Sequence, residues 1–283
     1  MPRILTKTVR NMAQEARVLA PAPLECYELA HPAVPNAVDG FRILHMADLH
    51  TRRPWGPDST VGRLVNALPR FPVDLVVLTG DYADQPGQEP AAIRTLKAIA
   101  SAWRSRLGAV GVFGNHDPAR LKALLPKAMP QIRWLHPAGA VRLPGVPLRV
   151  LGASYPEDVS RAVIAEREMP PEDDTLRILL THMPTEIFPA ETYAIPLHFA
   201  GHTHGGQLRL SPKLAPHTSS DLPSSLASGL LRHHGSLCAI SRGLGEGFLQ
   251  HLRLNCPPQA PIYTLRRGPA LGRDAPLHCA LPW

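Results

Sequence analysis

Five apolar runs, each leading into a polar cluster, constrain this chain more than any other feature. "FRILHMADLH" runs into Asp48 and His50, and "VDLVVLTGDYAD" into Asp81. "GAVGVFGNHD" runs into Asn115, His116 and Asp117, "LRILLTHMP" into His182, and "LHFAGHTHGG" into His202 and His204. The runs are four to seven residues long and rich in Val, Ile and Leu, the signature of buried strands. Between them lie helical candidates at 60–69, 90–105, 118–128 and 159–168. In 90–105, Ile93, Leu96, Ile99 and Ala100 share one face, and Pro90 suits a helix start. Strands alternating with helices predict an α/β sheet. Ligands of such sheets sit beyond the carboxyl ends of the strands, and all five clusters fall there.

The clustered side chains are carboxylate, imidazole and carboxamide, with no thiolate. That donor set suits Mn²⁺, Fe, Zn²⁺ or Ni²⁺ rather than a structural zinc. Eight groups, Asp48, His50, Asp81, Asn115, His116, His182, His202 and His204, exceed what one open ion needs. They suit two ions that share a carboxylate. Singly, each has a bland role: Asp and Asn cap turns, and a lone His sits in a core. Their concurrence at successive strand ends, with no Lys or Arg at the matching positions, favours metal. Two aspartates and several histidines buried without cations would be costly. His45, His136, His198, His217, His233, His234, His251 and His278 stand outside the pattern and read as structural or surface groups.

Composition narrows the class. The 283 residues suffice for one large domain or two small ones. Cys26, Cys238, Cys256 and Cys279 are scattered without a C-x-x-C pair, so free thiols are expected. The net charge of +7 suits an anionic partner. Aromatics are only 5%, and no basic run is interleaved with them, which argues against a single-strand nucleic-acid platform. No apolar stretch is long enough to span a membrane, and "MPRILTKTVRNMAQEARVLA" lacks a secretory core, so the cytoplasm is the expected compartment. Leu5, Val9, Met12, Ala16 and Leu19 would share one helical face with Arg3, Lys7, Arg10 and Arg17 away from it. Such a helix either packs on its own domain or lies peripherally on an anionic membrane face. Arg52 and Arg53 either meet substrate phosphate or form a solvated pair. The stretch 222–231, "LPSSLASGLL", reads as a lid or a core helix.

The order D-x-H, G-D, G-N-H-D, single His, G-H-x-H resembles the calcineurin-like metallophosphoesterases. It stands here as Asp48–His50, Gly80-Asp81, Gly114–Asp117, His182 and Gly201–His204, and the resemblance spans about residues 40–266. "HMADLH", "GHTHGGQLRL" and "SRGLGEGFLQHLRLNCPPQAPIYTL" are similar to a bacterial membrane-associated phosphodiesterase branch that includes UDP-2,3-diacylglucosamine hydrolases. At 257–261 this chain reads "PPQAP" where that branch usually carries an acidic residue after the prolines. The resemblance implies a four-layer α/β/β/α sandwich of two mixed sheets flanked by helices. The expected division is an N-terminal segment to residue 40 (an amphipathic helix, then an extended strand), a metallophosphoesterase domain over 41–266 and a C-terminal tail over 267–283. The resemblance implies two divalent ions, manganese first among the candidates. Asp48, His50, Asp81 and His204 would hold one; Asp81, Asn115, His182 and His202 would hold the other.

The implied activity is phosphodiester or pyrophosphate hydrolysis by a hydroxide bridging the ions, on a nucleotide- or lipid-linked phosphate ester. His116 would face the leaving group, and Asp117 would either orient His116 or cap the helix starting near Pro118. Gly80, Gly114 and Gly201 would let the backbone approach the ions. A phosphomonoesterase or protein phosphatase on the same site, and a non-catalytic scaffold, are the alternatives. No nucleic-acid partner is expected.

Overall fold

Alternating apolar side chains explain why the strands are covered on both faces. Along residues 42–46, Ile43 packs into one core, while Leu44 and Met46 pack into another. Along 75–79 the same alternation sends Leu75 and Val77 one way and Val76 and Leu78 the other. The computed structural model describes residues 23–52, 54–172, 174–211, 214–247, 252–268 and 278–279. The expected helix over residues 1–20 and Arg53 lie outside the described residues.

The strands in chain order are β1 (Leu24–His31), β2 (Arg42–Met46), β3 (Leu75–Thr79), β4 (Ala109–Val112), β5 (Ile132–Trp134), β6 (Ala138–Arg142), β7 (Leu148–Ala153), β8 (Leu176–Thr181), β9 (Leu197–Ala200), β10 (Gly229–His233), β11 (Ser236–Ile240), β12 (Ala260–Arg267) and β13 (His278–Cys279). The helices are α1 (Thr60–Ala67), α2 (Glu89–Ala102), α3 (Ala119–Ala128), α4 (Val159–Arg167) and α5 (Ile187–Thr192). The helices predicted at 60–69, 90–105, 118–128 and 159–168 are present, with their ends within three residues of the predicted ones. Ser59 starts α1 by accepting from the Gly62 amide at 3.1 Å, and Asp158 starts α4 by accepting from the Ser160 amide at 2.6 Å.

One sheet has six strands in the order β1-β12-β2-β3-β4-β5, and the other has seven in the order β13-β10-β11-β9-β8-β7-β6. Both are mixed. β2, β3, β4 and β5 run parallel, β12 is antiparallel to β2, and β7, β8, β9 and β11 run parallel in the second sheet. The sheets face each other across a core that includes Tyr27, Ile43, Val77, Val110, Val150, Ile178, Leu180, Phe199 and Tyr263. Helices α1, α2 and α3 cover the outer face of the first sheet, and α4 and α5 that of the second. This is the expected α/β/β/α sandwich.

β1 pairs with β12 along its whole length, so residues 24–31 form part of the sandwich. One detail differs from expectation. The 222–231 stretch is not a helix. It forms a turn at Ser224–Leu226 and then β10. Gly229, at φ +95°, breaks the helical path, and Leu230 and Leu231 then alternate between two cores. Among the described residues no helix is long and apolar enough to cross a membrane. Cys26, Cys238 and Cys256 are free and buried.

Candidate metal centre

The candidate residues follow the carboxyl ends of five strands drawn from both sheets. Asp48 lies two residues beyond β2, Asp81 two beyond β3, Asn115 three beyond β4, His182 one beyond β8 and His202 two beyond β9. Backbone bonds tie the loops together: Asp48 N donates to Gly80 O, His50 N to Asp81 O and Gly201 N to His182 O, all at 3.0–3.1 Å. Asp48, His50, Asp81, His202 and His204 all have positive φ, between 40° and 72°. Left-handed backbone is uncommon outside glycine and costs of order 1–3 kcal/mol per residue, and such strain gathers at functional sites. Glycines leave room for the carboxylates. A Cβ on Gly201 would sit 2.5 Å from Asp48 Oδ2, and one on Gly114 would sit 2.1 Å from Asp81 Oδ1.

The ligand atoms fall into three groups: Asp48, His50 and His204; Asp48, Asp81 and His182; and His50, Asp84 and His116. The first two share Asp48, and the first and third share His50. His50 Nε2 and His182 Nε2 lie 3.3 and 3.1 Å from Asp81 Oδ2. His204 Nε2 is 3.1 Å from His50 Nε2 and 3.9 Å from Asp48 Oδ1. His202 Nδ1 is 3.2 Å from His182 Nε2 and 3.1 Å from Asn115 Oδ1.

The outer nitrogens decide which protons these rings carry. His50 Nδ1 donates to Asp84 Oδ1 at 2.9 Å, His182 Nδ1 to Thr79 O at 2.8 Å and His202 Nε2 to Ser219 O at 2.6 Å. Each acceptor is a carboxylate or carbonyl oxygen, so each ring must supply the N–H there. In the neutral rings the opposite nitrogens then turn lone pairs toward one another and toward Asp81. Lone pairs and carboxylates at such distances repel unless a proton or a cation lies among them. Burial would lower His50 and His182, yet hydrogen bonds and charge from Asp81, with help from Asp84 at His50, raise them to about 10 and about 9. His202, by contrast, is held down at about 4 by burial and by the charge on His182. An all-nitrogen and all-oxygen donor set with inward lone pairs fits divalent cations.

Two residues act differently from expectation. Asp117 neither touches the His116 ring nor caps α3, whose first turn has no side-chain cap at Pro118. Its carboxylate instead accepts the amides of Asp81, Tyr82 and Gly114 at 2.8–2.9 Å, pinning the two loops together. His116 Nδ1 turns to Asp84 O at 3.1 Å, so Asp84 takes the place expected of Asp117. Arg52 meets the same carboxylate, through Nε at 2.8 Å and its terminal nitrogen at 3.1 Å, and is no solvated charge. Asp84 was legible only as the last residue of "GDYAD". His116 lines a cavity of about 210 Å³ together with Asp81, His202 and His204.

The sequence pattern of the calcineurin-like phosphoesterases matches residues 41–206, the stretch that holds every candidate residue. The chain belongs to this family. This calcineurin-like phosphoesterase is a hydrolase of phosphoric esters, and its clustered ligands are those of a divalent-metal site. It is 24% identical to the metallophosphoesterase YkuE of Bacillus subtilis over 89% of this chain and 88% of that one. It is 27% identical to the phosphodiesterase YaeI of Escherichia coli, covering 80% and 82%. A solved structure, TT1561 of Thermus thermophilus, is 16% identical with a TM-score of 0.46, covering 72% of this chain and 90% of that one.

Proposed function

We propose that this phosphoesterase is a two-metal phosphodiesterase. The carrying observation is the set of imidazole lone pairs directed into the space around Asp81 by the outer hydrogen bonds of His50, His182 and His202. In this reading Asp48, His50, Asp81 and His204 would hold one ion, and Asp81, Asn115, His182 and His202 would hold the second, with Asp81 common to both sets. His202 and His204, one residue apart, would serve different ions, because His202 Nδ1 lies beside His182 Nε2 and His204 Nε2 beside His50 Nε2. Bound divalent ions supply Lewis acidity: they activate water near neutral pH and offset charge growing on the phosphoryl oxygens. Manganese suits the oxygen and nitrogen donors.

The chain's own residues do the rest. His116 presents its ring to the cavity with Nδ1 tethered to Asp84 O, leaving Nε2 for the leaving-group oxygen. A second cavity of about 490 Å³, lined by Met183, Thr185 and residues 215–221, shares Pro216–Ser219 with the first. Space on both sides of that loop supports a diester, whose phosphorus carries two substituents. The name of the relative YaeI supports the same reading. A lipid-linked pyrophosphate such as UDP-2,3-diacylglucosamine extends it, supported by the basic, apolar pattern of residues 1–20.

The test is hydrolysis of bis-p-nitrophenyl phosphate, p-nitrophenyl phosphate and UDP-2,3-diacylglucosamine by metal-stripped protein, before and after adding Mn²⁺. Manganese-dependent cleavage of either diester-type substrate is expected. Turnover of the monoester alone overturns the diesterase reading.

A further inference from the structure

Glu25, near the start of β1, stands outside the ligand set, yet hydrogen bonds lead from it to two of the candidate ligands. Its Oε1 accepts from the Arg242 guanidinium at 2.5 Å, and its Oε2 from the Gln259 amide at 2.6 Å. The Tyr27 hydroxyl donates to the same Oε2. Gln259, the middle residue of "PPQAP", bridges back, because its Oε1 accepts the Arg242 backbone amide at 3.2 Å. The Arg242 side chain is only 4% exposed, and among the described residues its one ion pair is with Glu25. A guanidinium so buried needs a carboxylate to offset the hydration it has lost.

Arg242 opens a loop that lies against the metal centre. Its stem packs beneath the turn that carries His204: a Cβ on Gly205 would sit 2.8 Å from Arg242 Cγ. Its carbonyl accepts from one Arg253 nitrogen at 2.8 Å, and that nitrogen lies 3.5 Å from His204 Nδ1. Gly243 then passes so close to Asp48 that a Cβ there would sit 2.6 Å from Asp48 Cβ. Leu244 N donates to Ala47 O at 3.1 Å, and Gly245 N to Asp48 O at 2.7 Å. Gln259 N donates to Gly243 O at 2.8 Å, so the Glu25 network holds this loop at two points. Among the described residues, the loop 242–245 makes no hydrogen bond to Asn115, His182 or His202.

We propose that Glu25 is a positioning residue for one ion of the pair: through Arg242 it seats the loop that fixes Asp48 and His204. The effect falls on the ion assigned to Asp48, His50, Asp81 and His204, and to that extent it rests on the two-metal reading. The charge can also change places. In the double variant Glu25→Gln, Gln259→Glu, the amide at position 25 accepts from Arg242 and donates to the carboxylate at position 259. That carboxylate still accepts the Arg242 amide, so the bonds and the net charge are both kept.

The experiment is calorimetric titration of Mn²⁺ into the metal-stripped full chain, for wild type, Glu25→Gln and the double variant. Glu25→Gln is expected to bind one ion as wild type does and the other roughly 10- to 100-fold more weakly. The double variant is expected to restore wild-type binding. Equal weakening of both ions, no weakening, or a double variant as weak as Glu25→Gln overturns the inference. If Glu25→Gln does not fold, by circular dichroism, Glu25→Asp carries the same test. It keeps the charge but withdraws it by one methylene: loss at one ion supports the role, and loss at both or neither overturns it. A wild type that binds a single ion refutes the two-metal reading instead. The positioning role is then decided by whether the double variant regains the affinity that Glu25→Gln loses.

Discussion

Asp84→Asn isolates the residue on which the site's outer hydrogen bonds converge. The Asp84 carboxylate is buried, which by itself would raise its pKa. Its bonds to His50 Nδ1 and to Arg52 outweigh that and hold it well below the usual carboxylate range. Asparagine keeps the shape and loses the charge. The loss also changes which proton His50 carries. A carboxylate only accepts, so it forces the N–H onto Nδ1, and in the neutral ring that takes a cation Nε2 is then the lone pair near Asp81. An amide can donate instead, and Arg52, which can only donate, will draw the amide oxygen toward itself. The amide NH₂ then faces His50 Nδ1, and in the neutral ring the proton moves to Nε2, closing the ligand position. Removing such an outer partner typically costs 10- to 100-fold in metal affinity or activity. That range corresponds to about 1.4–2.7 kcal/mol, close to the worth of one hydrogen bond to a charged group. The assay is a Mn²⁺ titration of stripped protein, followed by bound metal and by bis-p-nitrophenyl phosphate turnover. The expected outcome is a Mn²⁺ requirement shifted upward by at least tenfold, with partial rescue at saturating metal. Wild-type metal affinity and turnover in Asp84→Asn would refute the argument that this carboxylate sets the His50 proton.

Other outcomes follow from the same geometry. His116→Ala should retain metal, measured by elemental analysis, and lose roughly 100- to 10,000-fold in kcat, as expected for a proton-transfer group; wild-type turnover would remove His116 from the reaction. Gly201→Ala forces a methyl within 2.5 Å of Asp48 Oδ2 and 2.7 Å of Ala47 Cβ, so thermal unfolding should report a loss of about 1–3 kcal/mol together with weakened metal binding. His198 is buried against Thr181 Oγ1 at 2.7 Å, and burial lowers its pKa to about 3. Its unfolded pKa is about 6.5, so below that pH the unfolded chain takes a proton that the folded one refuses. Its contribution is therefore intact above pH 6.5 and shrinks by about 1.4 kcal/mol per unit as pH falls toward 3. Urea unfolding of the metal-free protein between pH 6.5 and 5 should show His198→Gln with a shallower loss of stability than wild type, and equal slopes would count against a neutral buried His198.

An α/β sheet was legible because its strands are short apolar runs that stop at polar residues and alternate with helical stretches, whereas the split into two facing sheets came only from the family resemblance. The metal candidates were legible for the same reason: Asp48, Asp81, Asn115, His182 and His202 are where those runs stop. What stayed hidden depends on directions that a one-dimensional pattern does not carry. Asp117 and Asp84 are both carboxylates close to a motif, and their roles exchange only when the ring of His116 is seen to turn toward Asp84 O. The Leu-Arg-Leu tripeptides at 208–210 and 252–254 are the sharpest case, with Leu210, Leu252 and Leu254 exposed and both arginines turned to carbonyls. Hydrophobicity alone places leucine inside and arginine outside. The opposite occurs because the turn through His204 and Gly205 leaves buried carbonyls unpaired, and a guanidinium carries five N–H donors to meet them. An unpaired buried carbonyl costs about 1–3 kcal/mol, and an exposed leucine forgoes a similar amount of burial. The two terms are close, so local sequence cannot decide between the orientations. The demand for donors around His204 tips the balance, and the geometry of the metal centre thereby dictates an apolar surface at its own mouth.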